Sequence, residues 1–288
     1  MAIFNICKIQ INNLSNIFDD LVLSTAASLV DLGHECSVTT NEMRSDAINI
    51  LIGSIMFDEL LSSSQLAQPY IVYQLEILDD ELGHLKKYPS YLGFLSRALS
   101  VWDYSPKNIS FLKAKGFNNL AYIPPGYHPI CEKVSRQNSR HDFDFLFIGA
   151  LSKRRANLLE ALMKRGHKVG AITDSKPAFG ETRDQVMANS KIILNIHCFD
   201  NLNNLETVRL SYLLTNRAVV ISEESDHDPY QGAIGYAKYE DLVDYCDSIL
   251  FEDNLEMRSK SGYDAIKSID MLDLLGQALL KIDIHSAR

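Results

Sequence analysis

Short apolar runs alternate with longer, periodically apolar segments along nearly the whole chain. Phe4–Ile11 and Phe143–Ile148 are such runs, and in Asn16–Leu32 apolar residues recur at helical spacing before Gly33. The runs predict buried strands, and the periodic segments predict amphipathic helices, several of which end at a glycine. Because strands that alternate with helices form parallel sheets covered on both faces, the pattern predicts an α/β fold.

The alternation stops once and then starts again. Pro124-Pro125-Gly126 ends the first series, and the polar segment Cys131–His141 separates it from the second. We therefore expect an N-terminal domain over residues 1–130, a linker over 131–141 and a C-terminal domain over 142–288. Two such series predict two doubly wound, Rossmann-like domains that face each other across a cleft.

The last predicted helix, Met271–Lys281, has a broad apolar face that needs a partner. Three partners are open at this point. The helix caps the second domain, crosses back onto the first domain, or contacts a second copy of the chain in an oligomer.

Composition and charge narrow the class of protein. Of the 288 residues 46% are hydrophobic and 23% charged, which is typical of a globular protein. The net charge of −9 disfavours binding to nucleic acids and anionic membranes. No apolar run approaches the roughly 20 residues of a membrane span, and the N-terminus lacks the pattern of a secretory signal. Five scattered cysteines without a C-x-x-C pair predict reduced thiols in a cytoplasmic protein.

The best candidate for a phosphate site follows the first strand of the second series. The sequence there contains no G-x-G-x-x-G and no Walker loop, which disfavours dinucleotide dehydrogenases and Walker-type phosphotransferases. Gly149 at the strand end lets a ligand approach the backbone, and Ser152-Lys153-Arg154-Arg155 opens a helix whose free N–H groups favour an anion. A solvated basic helix start is the structural alternative.

A second set of polar residues follows the later strands of this series. Because polar groups at strand ends are not core residues, we expect them at the same sheet edge as the basic cluster. Glu206 and Arg209 lie on one helix face and either form a surface ion pair or contact a ribose and a phosphate. The set comprises Asn195, His197, Glu206, Arg209, Ser222 and Glu223.

These residues carry a resemblance to the donor-binding domain of GT-B glycosyltransferases, and the whole chain is similar to a group of small bacterial enzymes of that fold. The resemblance covers about Pro69 to Leu250 and implies that the second domain binds a nucleotide-sugar. The matching segments are Ile71–Glu76, Val101–Ser105, Tyr122–Tyr127, Phe145–Gly149, Ser190–His197 and Val219–Glu223.

The sequence departs from the pattern of many retaining members at one motif. The two glutamates that those enzymes carry with seven residues between them are replaced by Asn203 and Ser211, and Glu206 lies between these two positions. Glu206 is the candidate to hold the ribose in their place. The departure leaves retention or inversion at the anomeric carbon open.

Acceptor-side candidates follow strands of the first series. An inverting transferase needs a base to take the proton of the acceptor hydroxyl, and we expect Glu76 in that role, with Asp103 second and Asp20 third. A solvated loop position is the alternative for Glu76. Further candidates at the cleft or hinge are Gln74, Tyr104, Gly126 and Tyr127.

No metal site and no cofactor beyond a nucleotide-sugar donor is expected. Asp142-Phe-Asp144 matches the D-x-D metal motif of the other major glycosyltransferase fold, but it lies at the start of a strand, away from the predicted site. Basic side chains and helix N-termini can stabilise the leaving phosphate without a metal.

The resemblance implies transfer of a sugar to a glycan or small-molecule acceptor, as in polysaccharide or glycoconjugate biosynthesis. A sugar-nucleotide epimerase and a catalytically silent scaffold or partner subunit of the same fold are the alternatives.

Overall fold

The computed structural model describes residues 1–10, 16–57, 61–79, 84–135, 140–200, 203–252 and 254–282. The chain divides into two compact units. The first unit contains Met1–Ile130 together with the chain end from Ile269, and the second unit contains Cys131–Ser268. Each unit consists of one parallel sheet with helices, which confirms the predicted α/β class.

The first unit is built on a six-stranded parallel sheet with the order β2-β1-β3-β4-β5-β6. Its strands are β1 (Ile3–Lys8), β2 (Glu35–Thr40), β3 (Ile48–Ile52), β4 (Tyr70–Gln74), β5 (Ser100–Asp103) and β6 (Leu120–Tyr122). Its helices are α1 (Asp19–Asp31), α2 (His84–Lys87), α3 (Tyr91–Ser96) and α4 (Pro106–Ala114). Apolar clusters form on both faces of this sheet, and β3, β4 and β5 are buried along their whole length.

The second unit is built on a five-stranded parallel sheet with the order β11-β10-β9-β7-β8. Its strands are β7 (Phe143–Ile148), β8 (Val169–Ile172), β9 (Ser190–Asn195), β10 (Val219–Glu223) and β11 (Gly235–Ala237). Its helices are α5 (Lys153–Lys164), α6 (Gly180–Ala188), α7 (Thr207–Thr215), α8 (Leu242–Leu250) and α9 (Leu255–Lys267). A last helix, α10 (Met271–Leu279), follows after the chain has left this unit.

Each sheet contains one point at which the direction of strand succession reverses. In the first sheet this point lies between β1 and β3, and in the second sheet it lies between β7 and β9. The loops that leave two such strands separate to opposite faces of the sheet, and the crevice beyond their carboxyl ends is the usual ligand site of this architecture. The ends of β7 and β9 are therefore where a ligand of the second unit is expected.

The end of the chain belongs to the first unit, which corrects the prediction that residues 142–288 form one domain. Helix α10 contacts α1, and its apolar face enters the same core as the first strands. The buried residues of that face are Met271, Leu275, Ala278 and Leu279. Of the three partners left open for this helix, the apolar core of the first unit is the one it contacts.

The predicted linker is bound to the second unit over most of its described residues. The side-chain oxygen of Asn216 accepts hydrogen bonds from the backbone of Lys133 (2.7 Å) and Val134 (2.8 Å), and its amide donates to the carbonyl of Cys131 (2.9 Å). The linker prediction is therefore corrected for residues 131–134. Residues 136–139 lie outside the described part of the chain.

The pattern of Phe57–Ala67 predicts a helix, and over its described residues the structure forms only the start of it, where Phe57 is helical and its carbonyl accepts the N–H of Leu61 at 2.8 Å. Residues 61–64 are not helical, only a short 3₁₀ turn covers Gln65–Ala67, and residues 58–60 lie outside the description. Ser62 hydrogen-bonds the side chains of Ser64 and Gln65, and such local bonds compete with helix formation.

Within the described ranges, no helix is both long and apolar enough to cross a membrane.

We expect Gly126→Ala to destabilise the first unit. A Cβ atom at this position would lie 2.4 Å from the carbonyl oxygen of Ile269, where Tyr127 N–H bonds that same oxygen at 2.7 Å. Relief of the overlap requires backbone movement, which costs about 1–3 kcal/mol. Urea unfolding measures the loss. Gly93→Ala is the matched control, because its Cβ would meet nothing within 4 Å and alanine favours the helix by up to about 1 kcal/mol. Equal stability of the two variants would contradict the close contact.

Candidate active site

The turn between β7 and α5 brings a strand end and a helix N-terminus together. Gly149 has φ of +153°, and a Cβ atom there would lie 3.1 Å from Nη2 of Arg209. Both facts favour glycine, and the approach of a ligand to this backbone stays a prediction. Ser152 caps α5, since its hydroxyl accepts the N–H of Arg155 at 3.3 Å. Lys153, in the first turn of this helix, is exposed.

Arg155 is a buried connector at the point where strand succession reverses. Its Nε donates to the carbonyl of Ile196 (2.8 Å), and its Nη1 donates to the carbonyl of Ala150 (2.8 Å). Its Nη2 donates to Glu206 at 3.2 Å, and the side chain is only 4% exposed. The guanidinium therefore holds the ends of β7 and β9 together. Each of its three nitrogen atoms donates a hydrogen bond to another group of the protein.

Glu206, directly before α7, is the centre of a polar cluster. Its carboxylate accepts hydrogen bonds from Asn195 Nδ2 (2.8 Å) and from Arg155, and it lies 3.2 Å from Nδ1 of His197. Burial acts to raise the pKa of Glu206, but the hydrogen bond with His197 and the charge of Arg209 outweigh it, and the pKa lies below its ordinary value. The carboxylate is thus ionised and held in one orientation.

Asn195 and Ser222 extend this cluster to the neighbouring strand. Asn195 Nδ2 donates to the hydroxyl of Ser222 at 3.0 Å, and Asn195 Oδ1 accepts from Arg209 Nη1 at 3.0 Å. The structure therefore brings together the predicted donor-site residues of β7, β9, β10 and α7. The alternative of a surface ion pair between Glu206 and Arg209 is not what the structure shows, since the carboxylate is bound to Arg155 and the guanidinium to Asn195.

Arg209 is the cation of this cluster with donors to spare. Its guanidinium lies beside Gly149, and among the described residues only Asn195 is within hydrogen-bond distance of it. Burial lowers the pKa of Arg209 below its ordinary value, with the negative charge of Glu206 opposing this, and an arginine remains charged near neutral pH. Arg209 can therefore bind an anion without giving up an ion pair.

Arg154 is bound to a second carboxylate. It forms a bidentate pair with Glu223, contacts Asp200, and stacks over the ring of Tyr239 with its Cζ 3.7 Å from the centroid. Glu223 also accepts the backbone N–H of His197 at 3.1 Å. Of the three consecutive basic residues, Arg154 and Arg155 are thus paired within the unit, and Lys153 is the exposed one.

The predicted acceptor-side residues are arranged around a buried carboxylate at the end of β5. Asp103 is fully buried and accepts hydrogen bonds from Gln74 (3.0 Å) and from Asn108 (3.1 Å). Gln74 and Asn108 both donate in turn to the backbone carbonyl of Glu76, at 2.7 and 2.8 Å. Burial raises the pKa of Asp103 to about 8. Asp103 therefore fixes the loop that carries Glu76, and its burial does not suit proton exchange with a substrate.

The remaining predicted residues occupy different places in the first unit. Glu76 is half-buried after β4, and Asp20 is half-buried in the first turn of α1, where Asp19 pairs with Lys8 at 2.6 Å. Tyr104 is buried directly after β5. Tyr127 forms a backbone bridge to the chain end before α10, and Gly126 lies close against Ile269 of the same segment; their place at a cleft or hinge stays a prediction.

Two residues of these clusters were absent from the sequence-based candidates. Asn108 lies inside an ordinary amphipathic helix, so nothing in its pattern marked it. Thr207 opens α7 directly after Glu206, and its buried hydroxyl has no hydrogen-bond partner among the described residues. A threonine next to a candidate carboxylate at a helix start was the available signal.

No metal-ligand cluster is found in the part of the chain that the structure describes, where no three His, Cys, Asp or Glu side chains are grouped to hold an ion. Asp144 of the D-x-D lookalike pairs with Lys191 Nζ at 2.8 Å. All five cysteines are free thiols.

No family model matches the sequence. Curated relatives are uncharacterized proteins of Acanthamoeba polyphaga mimivirus. Protein R358 is 31% identical over 163 residues, 54% of this chain and 55% of the relative, and protein L140 is 28% identical over 173 residues, 58% and 56%. The chain spans about half the length of these relatives.

Solved structures resemble the chain over nearly its whole length. AviGT4, a glycosyltransferase involved in avilamycin A biosynthesis, has a TM-score of 0.63 at 10% identity and 99% coverage of both chains. An alpha-glucosyltransferase in complex with UDP and a 13-mer DNA has a TM-score of 0.63 at 10% identity, with 96% of this chain and 98% of that one covered. These structures are GT-B glycosyltransferases, and the chain has the GT-B glycosyltransferase-like fold that the sequence resemblance predicted.

Proposed function

We propose that the protein is a glycosyltransferase that binds a nucleotide-sugar donor through its second unit. The observation that carries this proposal is the cluster around Glu206 at the ends of β7, β9 and β10. An ionised carboxylate with fixed orientation and a cation with free donors lie together where strand succession reverses. Glycosyltransferases of the same fold support the reaction class.

Within this site we assign the ribose to Glu206 and the phosphates to Arg209 with the start of α7. A carboxylate oxygen accepts hydrogen bonds from vicinal hydroxyls, and Arg155 and Asn195 hold Glu206 for this purpose. Arg209 supplies unused donors, Thr207 supplies an unpartnered hydroxyl, and the helix N-terminus favours negative charge. Glu206 thus takes a role that the two absent glutamates leave open.

Arg154 and Arg155 have supporting roles in this proposal. Arg155 donates hydrogen bonds to two backbone carbonyls and to Glu206. The charge of Arg154 is neutralised by Glu223 and Asp200. Lys153 is exposed at the same helix start and is available to the leaving diphosphate. These cations and the helix N-termini would stabilise the departing phosphate charge, so that the reaction needs no metal ion.

For the acceptor reaction we propose Glu76 as the base. The oxygen of an acceptor hydroxyl forms a bond to the anomeric carbon while the bond from that carbon to the diphosphate oxygen breaks. The hydroxyl proton passes to Glu76, and the diphosphate leaves with the electron pair. The hydrogen bonds of Gln74 and Asn108 to its backbone fix the position of Glu76.

The first donor to test is a UDP-sugar, because the solved alpha-glucosyltransferase binds UDP. That enzyme was crystallised with DNA, but the net charge of −9 makes an uncharged glycan or small molecule the acceptor class that we favour here. Thermal stabilisation by UDP, GDP, dTDP, ADP and CMP identifies the nucleobase of the donor, because a ligand that binds only the native state raises the melting temperature of the protein. Tight binding without turnover would support the silent-partner alternative, and an epimerised sugar formed without acceptor would support the epimerase.

We expect Arg209→Gln to weaken binding of the stabilising nucleotide about 10- to 100-fold, because the variant loses a charge-assisted hydrogen bond to phosphate. Isothermal titration calorimetry measures the change. Lys260→Gln is the control, since Lys260 is an exposed cation paired with Asp264 on α9. Equal affinities of Arg209→Gln and Lys260→Gln would remove Arg209 from the phosphate site.

Glu76→Gln is expected to lower turnover about 10²- to 10⁴-fold while nucleotide affinity is unchanged, because the amide accepts no proton. Asp20→Asn is the comparison variant and is expected to retain turnover. Release of free nucleotide from donor plus acceptor measures both. Loss of turnover in Asp20→Asn alone would transfer the role of base to Asp20.

A further inference from the structure

His197, two residues beyond the end of β9, is enclosed by acceptors on both sides of its ring. Nδ1 lies 3.2 Å from a carboxylate oxygen of Glu206, and Nε2 lies 3.0 Å from the carbonyl oxygen of Glu224. The hydroxyl of Ser225 is 3.2 Å from Nε2 and 3.4 Å from the carbonyl oxygen of Glu223. The residue is only 2% exposed, so these groups are its immediate environment.

A neutral imidazole satisfies this environment less well, even though its unprotonated Nε2 can accept a hydrogen bond from the hydroxyl of Ser225. It carries one N–H, so either Glu206 or the carbonyl of Glu224 would face a ring nitrogen without a proton. The imidazolium has two N–H groups and donates to both acceptors, which leaves the hydroxyl of Ser225 to donate to the carbonyl of Glu223. The hydrogen-bond geometry therefore favours the charged ring.

Among the described residues, charged groups reach His197 from the segment before α7, the end of β10 and the start of α5. Glu206 precedes α7, Glu223 ends β10, and both carboxylates favour the protonated ring. Arg154 of α5 donates to the backbone carbonyl of His197 at 3.3 Å, and Arg155 shares Glu206 with the ring. Burial opposes the charge, but the hydrogen bond and the charge of Glu206 raise the pKa of His197 above its ordinary value.

We propose that His197 is a positioning residue that acts as an imidazolium: it holds Glu206 for the donor and adds one positive charge to the donor site, so that donor binding is linked to a proton. This inference rests on the proposed function. Loss of the proton at higher pH leaves the ring with one N–H for two acceptors, Glu206 and the carbonyl of Glu224, and removes one positive charge from a site that must hold a diphosphate. By reciprocity, a bound diphosphate raises the pKa of His197 further. Donor affinity is therefore high while the ring is charged and falls as the pH rises through its pKa.

The charge of the ring is tested first without any ligand. The imidazole C2–H resonance of His197, assigned by its loss in His197→Gln, is followed by NMR against pH. We expect a midpoint above the value of about 6.5 of a free histidine, and a lower midpoint in Glu206→Gln, which lacks the carboxylate charge. A midpoint at or below 6.5 that Glu206→Gln leaves unchanged would overturn the proposal, whether or not the protein binds a nucleotide.

The linkage is tested with UDP-glucose, whose diphosphate is a diester and does not titrate between pH 6.5 and 8.5. Calorimetry of the wild-type protein in two buffers with different ionisation enthalpies gives the number of protons taken up. We expect uptake of part of a proton, and an affinity roughly three- to tenfold lower at pH 8.5 than at pH 6.5. His197→Gln is expected to abolish the uptake. Binding of UDP-glucose without proton uptake across this range would overturn the linkage while leaving the proposed function intact.

His167→Gln is the matched control in these measurements. His167 belongs to the same unit and also contacts a carboxylate, that of Asp247, but it faces α8 and not the Glu206 cluster. We expect this variant to retain the proton uptake and the pH dependence of the wild-type protein. If His167→Gln removed them as completely as His197→Gln, the linkage could not be assigned to the ring beside Glu206. If UDP-glucose does not bind at any pH, the proposed donor fails, and the NMR titration alone decides the charge of His197.

Discussion

The site of the second unit depends on one buried contact, in which the guanidinium of Arg155 meets the carboxylate of Glu206. The same guanidinium bonds the carbonyls of Ala150 and Ile196 beyond the ends of β7 and β9. Where two strands part, these carbonyls have no ladder partner, and arginine with its five donors can serve several acceptors at once. Because a buried charge without a partner is costly, the orientation of Glu206 and the junction of the two strands depend on each other.

Much of the fold was accessible from the sequence, because strands buried on both faces leave uninterrupted apolar runs and parallel order follows from the helices between them. The grouping of polar side chains at the strand ends was accessible too, although the structure buries Asn195, Ser222 and Asp103, which the pattern had placed outside the core. The ion pairs that the basic residues form could not be predicted from the sequence. Lys153, Arg154 and Arg155 form one basic run in the sequence, but consecutive residues of a helix point about 100° apart. In the structure one is exposed, one meets Glu223 and one meets Glu206.

The two corrections to the domain boundaries have a common cause. An apolar helix face indicates that another part of the protein covers it, but does not indicate which part. A polar segment is equally compatible with solvent and with hydrogen bonds to a distant residue. The partner of the segment at Cys131–Val134 is Asn216, more than 80 residues away, and the partner of α10 is the core around β1 at the other end of the chain. Local patterns contain no information on contacts of this range. Asn108 escaped notice for the same reason, since its role depends on Asp103 and the loop at Glu76.

The return of α10 to the first unit has a consequence for biosynthesis. During translation the first six strands leave the ribosome long before Leu275 and its neighbours, which complete the core beside α1. While the second unit is being synthesised, the apolar surface of the first unit that α10 will cover, beside α1, therefore stays exposed. An uncovered apolar surface favours aggregation, and we expect it to need chaperone binding until α10 has been synthesised.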